Sequence, residues 1–153
     1  MTIVRPITHS DLDALRTVAH ETGLFPPDMV VDFTADTLSS TEGAPLWLVA
    51  EYQSAVCGLC YAAPEMLTES VWNMLALGVR PANQRDGLGG ALVAQLEADL
   101  RDAGARMLIV DTSSTDDFLG ARNFYAGNGY HEEARIRDYW DVGDDKVTFR
   151  KVL

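Results

Sequence analysis

The residues of this chain best suited to chemistry lie in one stretch, Leu77-Gly-Val-Arg-Pro-Ala-Asn-Gln-Arg-Asp-Gly-Leu-Gly-Gly-Ala-Leu92, where an apolar strand runs through a glycine-bearing turn into an amphipathic segment. Glycines let the backbone approach a ligand closely, and the free N–H groups and dipole at a helix start favour anionic oxygens. The chemistry is that of a phosphate site. A nucleotide-hydrolase loop needs Lys followed by Ser or Thr after its last glycine, and here Gly89 is followed by Gly90-Ala91-Leu92. A dinucleotide fingerprint needs its third glycine where Leu92 stands, and it opens a fold rather than lying past mid-chain. An ordinary glycine-containing strand-to-helix turn remains open on spacing alone.

Two further groups invite a chemical reading. In Ala121-Arg-Asn-Phe-Tyr-Ala-Gly-Asn-Gly-Tyr130, a helical stripe joins Phe118, Ala121 and Tyr125, and Tyr125 is either a phenol aimed at a site or a core tyrosine. Cys57-Gly58-Leu59-Cys60 has the spacing of a redox pair or of half a zinc site. The segment reads as a strand, however, where positions three apart point to opposite faces, and no second Cys/His pair completes four ligands. Buried free thiols in a reducing compartment account for the pair, and no metal is expected.

These side chains need elements to hold them. Thr2–Ile7 reads as a strand and Asp11–Glu21 as a helix, with Leu12, Leu15 and Ala19 on one stripe, Ser10 as its N-cap and Gly23 as its stop. Pro26-Pro27 opens a second helix near Asp28–Ser39, with Met29, Val30, Phe33 and Leu38 inward. Leu46–Tyr52 and Val56–Ala63 form a hairpin around Gln53-Ser54-Ala55, and Ser70–Val79 is a third strand of that kind. Past the loop Pro81–Gly90, a helix runs to about Ala103 with Leu88, Leu92, Leu96 and Leu100 four apart. Arg106–Thr112 is a nearly continuous apolar strand, so Ser70–Thr112 is a strand–helix–strand unit with its strands parallel. Asp117–Asn128 reads as a helix, and Tyr130–Asp138 with Lys146–Val152 as a closing hairpin around Gly143-Asp144-Asp145.

Composition sets limits on partners. With 153 residues, 47% of them hydrophobic, the chain has the length and apolar mass of one domain, residues 1–153, and it shows no internal repeat or linker. Twelve Lys+Arg against 23 Asp+Glu give a net charge of −11, which argues against nucleic acid and membrane surfaces as partners. An anionic ligand must then be held by local backbone N–H groups. No apolar run approaches the ~18 residues of a membrane span, and the expected location is the cytoplasm.

The glycine loop resembles the acetyl-CoA loop of the GNAT superfamily, Gln/Arg-x-x-Gly-x-Gly/Ala after an apolar-x-Val-x-Pro sequence. The matching residues are Gln84, Gly87 and Gly89 after Leu77, Val79 and Pro81. Ala121–Tyr130 is similar to the family's A-x-x-F/L-Y-x-x-x-G-F/Y segment, in the same chain order. The resemblance implies a mixed, mostly antiparallel twisted sheet of about six to seven strands with about four helices (an α+β, α/β-type fold), the parallel pair lying at the acetyl-CoA site.

For function, the resemblance implies transfer of an acetyl group from acetyl-CoA to a primary amine of a small molecule or peptide by direct attack. Backbone groups across Gln84, Arg85, Asp86, Gly87, Leu88, Gly89 and Gly90 would hold the pyrophosphate, and Leu77 and Val79 would pair with the pantetheine arm. The Val79 N–H would bind the thioester oxygen, and Tyr125 would protonate the leaving thiolate. Asp86 departs from the family, which often has Lys or Arg there. The strand Trp72-Asn73-Met74-Leu75-Ala76 also lacks the carboxylate many members carry, which leaves Asp111 as the candidate base, or a water relayed through backbone or Asn73. His131 and Glu69 are weaker candidates. Phe25, Met29, Phe33 and Trp72 are residues of either the acceptor pocket or the core. A homodimer is expected, with Tyr139-Trp140 as aromatic surface. The alternative function is a module that binds acyl-CoA without transfer, favoured by Asp86 and the missing carboxylate.

Overall fold

The computed structural model describes Met1–Leu153 in full. Its elements are β1 (Thr2–Pro6), α1 (Leu12–Thr22), α2 (Val30–Leu38), β2 (Leu46–Tyr52), β3 (Ala55–Pro64), β4 (Val71–Val79), α3 (Leu88–Asp102), β5 (Met107–Ser113), α4 (Leu119–Gly127), β6 (His131–Asp141) and β7 (Asp144–Val152). All seven strands join one sheet in the order β1-β2-β3-β4-β5-β7-β6. Only β4 and β5, linked by the α3 crossover, run parallel; the remaining neighbours are antiparallel. The β2–β3 turn places Gln53 and Ser54 at φ 53° and 65°, the left-handed pair that matches strand twist in a tight hairpin.

Alternation along each strand divides the apolar residues between two cores. On one face, Leu88, Leu92, Leu96 and Leu100 of α3 pack on Leu48, Cys60, Met74, Leu108 and Phe149, all buried. On the other, Leu15, Val18 and Ala19 of α1 and Val30 of α2 cover Trp47, Val49 and Leu59. Each such leucine contributes about 1.5–3 kcal/mol by leaving water. Phe25 and Phe33 belong to this second core: Phe25 meets Phe33 and Trp47 edge-on, and Phe33 stacks on Tyr61. Trp72 packs against the α3-side core, and Met29, read as inward, is partly exposed at the surface.

Two local readings are corrected. The start of the first helical segment is capped by Thr8 and Asp11 rather than by Ser10: the Thr8 N–H donates to Asp11 Oδ2 at 2.8 Å, and Ser10 reaches only the Thr8 hydroxyl. Cys57 and Cys60 share the α3-side core rather than opposite faces, because Ala50 pairs with Gly58 and Glu51 with Val56, which makes Cys57 a bulge residue. Both thiols are free and buried.

Asp11 gives this cap a pH signature. Arg5 donates to both of its oxygens, at 2.8 and 2.9 Å, and that pair, ahead of the opposing effect of burial, holds the Asp11 carboxyl below its ordinary 3.8. A depressed folded-state value stabilises above the unfolded one and is lost as pH falls through the folded one. Asp11→Asn is therefore expected to cost about 1.5–3 kcal/mol at neutral pH. The gap to wild type should close as the pH drops below about 4 in urea titrations. A gap independent of pH would mean that packing rather than charge explains the loss.

The strand that matters most for function is irregular. Tyr61 pairs with Ala76 and Ala62 with Met74, so Leu75 is an extra residue in β4 and stands 53% exposed. A bulge bends its strand. Pairing of β4 with β5 covers only Val71–Asn73 against Met107–Ile109, and past those residues the two parallel strands part. The splay leaves backbone groups of β4 without a sheet partner in the middle of the molecule.

Candidate active site

A cleft of about 370 Å³ opens where β4 leaves the sheet, and Leu77, Val79, Gln84, Gly87, Gly89, Gly90 and Tyr125 line it. Arg80 N–H donates to Cys57 O at 2.8 Å. By strand alternation, the backbone groups of Val79 and Leu77 then turn away from β3 and into the splay. Gln84 Nε2 reaches Val79 O at 3.3 Å and tethers the loop to the strand end. The turn continues through Asn83 N–H to Arg80 O and Asp86 N–H to Asn83 O, then reaches Gly87 at φ +76°, which a side chain adopts only with strain.

Gly87 is the N-cap of α3 and supplies no capping side chain. The first-turn N–H groups of Leu88, Gly89 and Gly90 therefore lack helical acceptors. A Cβ on Gly87 or Gly90 would meet nothing within 4 Å, and one on Gly89 would lie 3.6 Å from the Phe124 ring. These glycines leave space above free donors, an arrangement that fits a pyrophosphate. Leu88 is fully buried and offers only its backbone. Arg85 and Asp86 are exposed, and Asp86 Oδ2 accepts from Asn83 Nδ2 at 3.3 Å.

Across the cleft, Tyr125 is buried against Phe124, Tyr130 and Phe149, with ring centroids 5.7–6.1 Å apart. Burial, assisted by nearby Cys60, pushes its phenol up to about 12, so it stays protonated at neutral pH. Its neighbour Tyr130 donates to Glu97 Oε2 at 2.7 Å, in a buried contact that Lys151 joins through Glu97 Oε1 at 2.9 Å. Tyr125 has no such bond, which leaves its proton for whatever enters the cleft. Burial likewise pushes the Cys60 thiol up to about 12 and keeps it an inert thiol.

Asp111 does not line this cleft. Leu108 and Val110 face α3, so Asp111 turns to the opposite face of β5, where Thr148 Oγ1 donates to its Oδ1 at 2.6 Å and Asn73 Nδ2 lies 3.4 Å from its Oδ2.

With this geometry in place, residues 43–132 match the model of the acetyltransferase (GNAT) domain family. The chain belongs to the GNAT acetyltransferase family. Its sheet, with the parallel β4–β5 pair, is the GNAT fold. A GNAT-family structure from Desulfovibrio desulfuricans superposes with a TM-score of 0.91 at 26% identity, over 99% of both chains. The ribosomal-protein-S18-alanine N-acetyltransferase of Escherichia coli shares the fold at a TM-score of 0.77 and 19% identity, covering 99% of this chain and 94% of its own. So does the PaiA N-acetyltransferase of Thermoplasma acidophilum, solved with coenzyme A, at 0.74 and 18%, covering 100% of this chain and 99% of its own. Among curated proteins, none matches.

In this GNAT domain the cleft has walls that sequence reasoning did not name as site residues. Gly120, Ala121 and Phe124 of α4 line it beside Tyr125. Arg122 fixes that wall, donating to Ser113 O at 2.7 Å and Thr115 O at 2.8 Å. The spacing that places Ala121 and Tyr125 on one stripe was the available signal for this wall. Phe118, read on the same stripe, is exposed instead, because it ends a short 3₁₀ turn that precedes α4.

Proposed function

We propose that this GNAT domain, taken as residues 1–153, transfers an acetyl group from acetyl-CoA to a primary amine. The observation that carries the reading is the row of free N–H groups at Leu88–Gly90 above glycines that leave room for phosphate, opening onto the unpaired edge of β4. The backbone from Gln84 through Gly90 holds the pyrophosphate. Leu77 and Val79 present strand-like hydrogen-bonding groups to the pantetheine arm, and the Val79 N–H polarises the thioester carbonyl. The amine nitrogen forms the new C–N bond as the C–S bond breaks. The nitrogen gives up its proton to Asp111, on the far face of the splay, or to a water relayed through backbone or Asn73, and Tyr125 supplies one to the departing sulfur.

Holding the reactants in register supplies up to about 7–11 kcal/mol of the barrier, and a positioned acid or base roughly 10²–10⁴-fold more. Asp86, engaged with Asn83 at the surface, is expected to lie beside the phosphate path rather than in it. The experiment is incubation with acetyl-CoA and a mixed amine library, read by mass spectrometry. Acetylated amines support transfer; CoA binding with no acetylated product across the library would favour a binding module. Two buried, unpaired thiols agree with a reducing cytoplasm.

We also infer a homodimer built at β6, an edge strand exposed along its length and carrying Ile136, Tyr139 and Trp140 at about half exposure. Light scattering should return twice the 16.8 kDa chain mass. A single monomer mass at micromolar concentration would end the proposal.

A further inference from the structure

On the face of the sheet opposite the glycine cleft, three polar side chains meet where β4 and β5 part. Asn73 is the last β4 residue paired with β5, and its amide nitrogen lies 3.2 Å from Glu65 Oε2 and 3.4 Å from Asp111 Oδ2. Glu65 is brought there by the β3–β4 connection, its N–H donating to Val71 O at 2.8 Å. Asn73 is only 9% exposed, and its Oδ1 is the one buried side-chain polar atom in the protein without a hydrogen-bond partner. Neither carboxylate is in a salt bridge, although both are half-buried. The unmet hydrogen bonding of the group is therefore all on the acceptor side, and a buried acceptor left unpaired is costly.

The complement to such a group is a compact cation that carries only donors. A primary ammonium has three N–H donors and no acceptor. We propose that Glu65, Asn73 and Asp111 seat the amino group of the acceptor, and that the acceptor class is primary amines with no carboxylate beside the nitrogen: alkylamines, polyamines, amino-acid amides or peptide N-termini. A free amino acid would bring its own carboxylate against two others, and the cations that β7 places on that face, Lys146 and Arg150 on either side of Thr148, are already engaged by the Tyr139 ring and by Glu133. The inference rests on the acetyltransferase reading. It adds that the acceptor enters from the α1/α2 side, while the cofactor cleft opens on the α3/α4 side, and the two meet at the splay beside Leu75.

The test is a chemical-shift titration of butylammonium chloride into the protein, alone and saturated with CoA, which has no acetyl group to transfer. Saturable shifts are expected at Asn73 and Asp111 in both forms. Glu65→Gln keeps an acceptor for Asn73 but removes the charge, and it should weaken butylammonium about ten- to a hundredfold. Asp111→Asn repeats the test on the other carboxylate. Glycine, with a carboxylate one carbon from its ammonium, should not saturate. No saturable binding to wild type, equal binding by both variants, or glycine binding as well as butylammonium overturns the seat. CoA titrated into the same proteins reports on the parent reading: absence of CoA binding removes that reading, whereas normal CoA binding with no butylammonium discrimination removes the seat alone.

Discussion

Tyr125→Phe is expected to lower turnover about 100-fold, on the order of 2.7 kcal/mol in the barrier, while acetyl-CoA affinity and thermal stability stay close to wild type. The ring contacts with Phe124, Tyr130 and Phe149 survive the change, so the α4 wall of the cleft keeps its shape. What is lost is one proton donor. A thiol is an acceptable leaving group, with a reference value of ~8.5, which makes the donor an accelerator rather than a requirement. Because burial raises the Tyr125 phenol to about 12, its donor form persists across the working range. The ratio of wild-type to variant turnover should stay constant between about pH 7 and 9. Full turnover by Tyr125→Phe, where chemistry limits the rate, would return Tyr125 to the core and leave the proton to water.

Gly89→Val is expected to weaken CoA about 100-fold in calorimetry, roughly 2.7 kcal/mol, without unfolding the protein. Its Cβ would sit 3.6 Å from the Phe124 ring and 3.9 Å from Val79 Cγ2, which is ordinary contact, so the branched side chain has room to exist only by filling the cleft. Gly87 is a poorer probe: its φ of +76° would mix backbone strain with lost binding. An unchanged affinity in a folded Gly89→Val protein would remove the loop from the site. The two substitutions separate the steps, since one removes the donor and the other the seat of the cosubstrate.

Much of this molecule is legible in its sequence, for reasons that are local. The leucines of α3 recur every four residues, the tight Gln53-Ser54 turn divides two β-rich runs, and Gly87 marks a left-handed residue before a helix. The glycine loop and Tyr125 both line one cleft; spacing alone left Tyr125 open between site and core, and only the resemblance to the GNAT segments joined it to the loop. What escapes is set at long range. The bulges at Cys57 and Leu75 depend on which partner residues lie across the sheet, and a single inserted residue has no local signature. The Cys57 bulge is why strand alternation placed the two thiols wrongly. The same limit hid Glu65: it follows β3 as an ordinary loop carboxylate and meets Asn73 and Asp111 only through pairing. Asp111 was visible as a candidate, but its face was fixed by the β5–β7 register, which sets it opposite Thr148.

The place of β7 in the sheet orders the birth of the site. It lies between β5 and β6, so the chain through Asp141 has made β6 before its one partner strand exists, and holds β5 on its β4 side alone. Both halves of the chemistry lean on β7: Phe149 backs Tyr125 on one face, and Thr148 holds Asp111 on the other. Strands β2, β3 and β4, by contrast, pair through hairpins with neighbours close in sequence, which close their loops at low entropic cost. Refolding followed by two probes should then separate in time. Protection of β2 and β3 amides appears first, and a structured Tyr125 ring last, so that a nascent or refolding chain carries a formed N-terminal core well before it is competent.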